Sequence, residues 1–325
     1  MELVPTKRLE IYTGRSHPSL VKEIANHLDI ELGDVLLREF SDGEIHCRYG
    51  ESVRGKDIFV VQSHAKPVND SIVEQLIMID AAKRASAKRI TAVCPYFGYS
   101  RQDRKATGRE PITAKLVMDM LQAAGADRVI TVDLHSGQIQ GFFNGPVDHL
   151  TAMPVLVDYL RPHQGTDLVV IAPDAGRVKV AQRFSQQLNL DLGFVHKRRP
   201  RGTMNKVEAL EVVTEVDLRG RRCVIIDDLI DTAGTICAAS ELLKKKGCSE
   251  VWAMATHAVL SGKAKDNLMA SSISKLVVTD TLPIPAEKHF AKLEILSIAR
   301  IIAQAIGAVF EDTSVSDIFQ GDNLM

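Results

Sequence analysis

The chain has 325 residues, 45% apolar and 25% charged, with a formal net charge of −1. That is the composition of a globular protein long enough for two ordinary domains, and the balanced charge excludes a global basic field of the kind that draws proteins to nucleic acid. Cys47, Cys94, Cys223, Cys237 and Cys248 show no CxxC spacing, which argues against a disulfide framework or zinc cluster and for a reducing compartment.

Short β-branched runs alternate with longer amphipathic ones. Strands are expected at Leu9–Thr13, Asp57–Gln62, Arg89–Cys94, Arg128–Asp133, Leu168–Ala172, Asp191–Val195, Cys223–Asp227, Glu250–Thr256 and Lys275–Thr279. Most are continuous apolar runs, as suits parallel strands buried on both faces. Helices are expected at Ser19–Leu28, Asp70–Ala85, Thr113–Ala124, Arg177–Leu188 and Thr235–Lys246. The alternation predicts an α/β protein with mostly parallel sheets. The pattern pauses over Asn144–Arg161, which predicts a boundary between two doubly wound domains, 1–150 and 151–325. RRPRGTMN (198–205) has no periodicity and reads as a basic loop; alone it is too little for a nucleic-acid surface. The N-terminus lacks a secretory h-region and no apolar run could cross a bilayer, so a cytoplasmic protein with no membrane partner is expected.

The most informative stretch is RCVIIDDLIDTAGTIC (222–237). A buried strand ends in Asp227 and Asp228, and ligands of open α/β sheets bind at that end. Asp231 follows, then Thr232, Ala233, Gly234 and Thr235 lead into a helix. Small residues let backbone N–H groups close on an anion, and the helix terminus favours negative charge. Carboxylates accept from vicinal hydroxyls, so the pattern predicts a sugar-phosphate site, with Mg²⁺ as mediator among the acids. Asp231 or Thr232 as a mere helix cap is the simpler alternative. The chain contains neither GxxxxGK[ST] nor GxGxxG, which disfavours a P-loop or a standard dinucleotide site.

The stretch resembles the phosphoribosyl-pyrophosphate loop shared by type I phosphoribosyltransferases and ribose-phosphate pyrophosphokinases. PYFGYSRQDRK (95–105), VDLHSGQIQGFF (132–143), FSDGE (40–44), ESVRG (51–55) and HKRRPR (196–201) choose between the two. Together they are similar to the ribose-phosphate pyrophosphokinase family along nearly the whole chain. That resemblance implies a phosphoribosyltransferase-like fold in both halves and pyrophosphoryl transfer from Mg²⁺-ATP to ribose 5-phosphate. Arg101, Gln102 and His135 would serve ATP, with Phe40, Asp42 and Glu44 holding adenine from a neighbouring subunit. His135 and Asp174 would serve the metal. Asp174, Asp227, Asp228, Asp231 and Thr232–Thr235 would hold the acceptor, and Lys197 and Arg199 would act in catalysis from a closing loop. Ser52, Arg54, Ser314 and Ser316 match a regulatory site, implying activation by phosphate and inhibition by ADP, while the shared adenine hairpin implies a homo-oligomer, usually a hexamer. Many members carry glycine where this chain has Arg177. A catalytically silent regulatory homologue and a phosphoribosyltransferase are the alternative readings.

Overall fold

The computed structural model describes residues 7–165, 167–198 and 209–319. They form two compact units. In the first, β1 (Leu9–Thr13), α1 (Pro18–His27), β2 (Val35–Glu39), β3 (Ile45–Tyr49), β4 (Asp57–Val61), α2 (Val68–Arg84), β5 (Arg89–Cys94), α3 (Thr113–Ala124), β6 (Arg128–Val132) and β7 (Val147–Leu150) follow one another. The second runs through α4 (Met153–Leu160), β8 (Leu168–Ala172), α5 (Val178–Leu188), β9 (Asp191–Arg198), β10 (Ala209–Thr214), β11 (Arg222–Ile230), α6 (Gly234–Lys245), β12 (Glu250–Ala258), α7 (Ala264–Ala270), β13 (Lys275–Thr279) and β14 (Leu293–Leu296). Helix α8 (Ala299–Glu311) then belongs to the first unit again.

The first unit is a five-stranded, wholly parallel sheet in the order β1-β4-β5-β6-β7. Every residue of β4 is buried, which is why its sequence is apolar without alternation. Ile58 and Val60 pack with Met78, Ile79 and Leu121 of α2 and α3, while α1 packs against α8. A separate antiparallel hairpin, β2–β3, carries FSDGE in its turn; its mixed exposure gives none of the continuous apolar signal of the core strands.

The first division between the units falls between Thr151 and Ala152, and the second unit closes at Leu296. Among the described residues, 281–283 and 297–319 group with the first unit. The tie is electrostatic as well as apolar. Asp312 pairs with Lys7 and with Arg89, whose guanidinium also grips Asp57 at 3.0 and 2.5 Å. Lys7, and then Arg89, hold the Asp312 carboxyl down at about 2.

The second sheet has the order β10-β9-β8-β11-β12-β13-β14 and is parallel except for β9–β10. The chain starts in the middle at β8, winds to one side through β9 and β10, then crosses to β11 and winds outward the other way. The β8/β11 junction is therefore a topological switch point. Helix α5 buries Ala181, Phe184 and Leu188, one stripe at helical spacing, and ends at Asn189 in the left-handed region. The pause expected over Asn144–Arg161 is occupied by β7 and α4; Pro154 sits in the first turn of α4, where its missing N–H costs nothing. Among the described residues no helix is long and apolar enough to cross a membrane.

Candidate functional site

In the second unit the strand register shapes the candidate site. β8 pairs with β11 only as far as Ile225↔Ile171 and with β9 as far as Ala172↔Phe194. Both neighbours run further, β11 to Ile230 and β9 to Arg198. The carboxyl edge is thus notched above β8, and the turn Pro173–Arg177 fills the base of the notch. Asp227 and Asp228 lie within β11 rather than beyond it, because the strand continues to pair with β12 through Ile230↔Ala258.

The two carboxylates are largely desolvated, with 17% and 9% of their side chains exposed. Arg177, 12% exposed, reaches both: its Nε is 3.4 Å from Asp227 Oδ1 and an Nη is 2.6 Å from Asp228 Oδ2. Burial, and next the Asp228 charge, push the Asp227 carboxyl well above its usual range, and Arg177 opposes that shift.

Beyond β11 the anion loop takes shape. Asp231 Oδ1 accepts from Ser261 Oγ, and Asn267 Nδ2 donates to the Thr232 carbonyl at 3.0 Å. Ala233 is buried in the left-handed region at φ 64°, a conformation costing a non-glycine residue about 1–2 kcal/mol. Such an outlier beside an acid pair points to function. Helix α6 starts there with Ala233 at the N-cap position, which has no side chain able to cap it. Its first-turn N–H groups are directed out of the helix end, flanked by exposed Thr232, Gly234 and Thr235.

Asp174 Oδ1 accepts from the backbone N–H groups of Gly176 and Arg177 at 2.8 and 3.2 Å. The helix expected from Arg177 accordingly begins as a 3₁₀ turn, Ala175–Arg177, before α5. Lys197 is on β9, its backbone opposite Leu210 of β10 and past the end of β8. Arg199 and most of the basic loop lie outside the described residues.

In the first unit, β5 and β6 are parallel neighbours, so the turns after both emerge at one sheet edge. One carries exposed Arg101 and Gln102; the other carries half-buried His135. Gln102 Oε1 accepts from Thr113 Oγ1 at 2.6 Å at the start of α3. Leu134 N donates to buried His149 Nε2 at 2.8 Å, which fixes the turn before His135. His135 and Asp174, both expected at a metal, belong to different units. Among the described residues no three His, Cys, Asp or Glu side chains gather as a metal site. Carboxylate oxygens nonetheless suit Mg²⁺, which typically takes one or two carboxylates plus substrate phosphates.

Phe40 is 46% exposed at the hairpin turn, with the Arg38 guanidinium 5.3 Å from its ring centroid, so it does not serve as core. Asp42 Oδ1 accepts from Glu44 N at 3.1 Å, closing the turn. Ser52, Arg54, Ser314 and Ser316 are all exposed. Ser314 lines a concavity with His27, Arg300 and Asp317 that neither Ser52 nor Arg54 joins.

His64 is a structural feature that no sequence signal marks. It is fully buried under PYFG: its Nδ1 accepts from Gly98 N at 2.9 Å and its Nε2 meets Gln75 Oε1 at 2.9 Å. A Cβ on Gly98 would lie 2.9 Å from His64 Cβ, so glycine is required for the approach. Burial pushes the His64 pKa down to about 4 from 6.5, with the Gln75 hydrogen bond opposing. The unfolded chain therefore gains a proton near 6.5 and the folded chain not until about 4. Stability present above that window is lost as pH falls through it, by roughly 3 kcal/mol in full. Denaturant midpoints are expected to fall from pH 7 to pH 5 in the parent protein and to fall less in a His64→Asn variant. Equal slopes would contradict the assignment.

Residues 9–125 match the family model described as the N-terminal domain of ribose phosphate pyrophosphokinase, and residues 198–320 match the phosphoribosyl synthetase-associated domain. A ribose-phosphate pyrophosphokinase of Bifidobacterium longum is 53% identical over 98% of this chain and 94% of its own. One from Caldanaerobacter subterraneus is 50% identical over 97% and 98%. The crystal structure of phosphoribosylpyrophosphate synthetase from Mycobacterium smegmatis superposes with a TM-score of 0.89 at 48% identity, covering 94% of this chain and all of that one. With the acid pair, the anion loop and the switch point in one unit, and this likeness along nearly the whole length, the chain belongs to the ribose-phosphate pyrophosphokinase family.

Proposed function

We propose that this chain transfers the pyrophosphoryl group of ATP to the 1-hydroxyl of ribose 5-phosphate, giving phosphoribosyl pyrophosphate and AMP. The observation that carries the reading is the anion loop of α6 beside the acid pair of β11. The loop N–H groups and the Thr232 and Thr235 hydroxyls take the 5-phosphate, while Asp227 and Asp228 accept from the ribose hydroxyls. Because Arg177 already engages both of those acids, sugar hydroxyls suit them better as ligands than a second cation.

The acceptor 1-hydroxyl attacks the β-phosphorus, the α–β bridging bond breaks, and AMP departs with that oxygen. Such a transfer demands alignment and charge stabilisation more than covalent help. Arg101, Gln102 and His135 hold the polyphosphate, and Phe40, Asp42 and Glu44 of a neighbouring copy hold the adenine. Lys197 and Arg199 stabilise charge moving toward the leaving phosphate. His135 on the nucleotide side and Asp174 on the acceptor side would each hold Mg²⁺, which would supply charge neutralisation on the phosphate oxygens. The reading includes a homo-oligomer, a hexamer by family resemblance, and a cytoplasmic location.

The test measures AMP from ATP and Mg²⁺ with and without ribose 5-phosphate, followed by phosphorus NMR of the product. AMP formed only with the sugar, together with a new diphosphate on C1, supports the reading. ADP as product would mean a simple kinase and refute it, and tight sugar binding without turnover would favour a silent regulatory homologue. For regulation, Ser52, Arg54, Ser314 and Ser316 supply hydroxyl and guanidinium donors to phosphate or ADP. Activity is expected to rise with phosphate at fixed Mg²⁺, and a flat response would refute that role.

A further inference from the structure

We infer that Arg177 is a positioning residue for the acceptor, holding the acid pair in place and balancing its charge so that a sugar phosphate can dock beside it. The inference rests on the reading of ribose 5-phosphate as acceptor. Its first support is where the side chain lies. Consecutive strand residues point to opposite faces, yet Arg177 meets Asp227 through Nε and Asp228 through Nη. Only a group lying along the strand edge reaches both, and that edge of β11 is vacated where β8 stops. The short β8 thus gives the guanidinium its seat.

The second support is rigidity. Asp174 Oδ1 accepts from the Arg177 N–H, so the backbone of the residue is pinned while its planar fork is pinned at the other end. A guanidinium held this way loses little further freedom when a ligand binds, unlike a lysine on a flexible stem.

The third is charge. Two desolvated carboxylates next to an anion loop would repel the phosphorylated sugar that the loop is shaped to take. Arg177 offsets that repulsion and leaves carboxylate lone pairs for hydroxyl donors. A purely structural ion pair would predict a general loss of stability on its removal. Positioning adds to that a loss of acceptor binding that ATP binding does not share.

The experiment is calorimetric titration of ribose 5-phosphate, with Mg²⁺ and a non-transferable ATP analogue present, into the parent protein and the Arg177→Gln and Arg177→Lys variants. Steady-state KM values for both substrates and thermal midpoints are measured alongside. Arg177→Gln is expected to weaken acceptor binding about tenfold or more, the scale of a lost charged hydrogen bond, with the KM for ATP changed less than about threefold. Arg177→Lys is expected to recover part of the loss, because it keeps the charge but not the planar fork that spans both acids.

Unchanged acceptor binding in Arg177→Gln would overturn the inference. So would equal weakening of both substrates, or a lysine variant no better than the glutamine one. If the parent protein itself fails to bind ribose 5-phosphate, the acceptor reading falls and takes this inference with it. That outcome is distinct from a failure seen only in the variants.

Discussion

Replacing Lys197 with alanine is expected to lower kcat by about a thousandfold while changing the KM for ATP by less than about threefold. The split follows from what a cation can do in this transfer. Negative charge grows on the leaving phosphate only as the bridging bond opens, so a lysine placed there binds the transition state more tightly than the ground state. Its position on the chain fits such a role. β9 outruns β8 at the carboxyl edge and carries Lys197 next to its end, immediately before the basic stretch. Single-turnover and steady-state rates across ATP concentrations check the prediction. Equal losses in kcat and in ATP affinity would remove Lys197 from the transition state and leave it a ground-state binding residue.

Asp228→Asn is expected to reduce kcat/KM for ribose 5-phosphate by about a hundredfold to a thousandfold, roughly 3–4 kcal/mol. Asparagine keeps the shape but removes the charge, so one amide group faces Arg177 at a site only 9% exposed. The substitution costs twice. In the proposed binding mode the ribose loses a charged acceptor, and the guanidinium loses the nearer of its two partners while remaining largely desolvated. A drop in thermal stability therefore accompanies the kinetic loss, and the two are separated by saturating with acceptor. An unchanged KM for the sugar would place recognition of its hydroxyls elsewhere.

The site was legible where chemistry is written in consecutive residues. Asp227, Asp228, Asp231 and Thr232–Thr235 could be proposed as one site from one stretch because strand end, acids, small residues and helix start all lie within it. Arg177 was not legible as their partner. Its partners are fifty residues away in the chain, and glycine or arginine at that position look alike as a turn residue. His64 was equally silent, since a lone histidine in a sequence carries no sign of the N–H it will accept from Gly98. The hairpin shows the same limit in the fold. FSDGE reads as a turn, but the strands flanking it are too exposed to announce themselves by apolar runs.

By itself the sequence determined the type and place of the core strands. β1, β5, β8 and β13 fall on the residues expected from their β-branched runs, because a buried parallel strand needs an apolar side chain on both faces whatever its neighbours are. Only the tertiary structure decided the order of those strands, the return of α8 to the first unit and the meeting of Arg177 with two aspartates. Each depends on free energy shared between segments distant along the chain. Local propensity is blind to that quantity, and packing and charge pairing settle it once the sheet has formed.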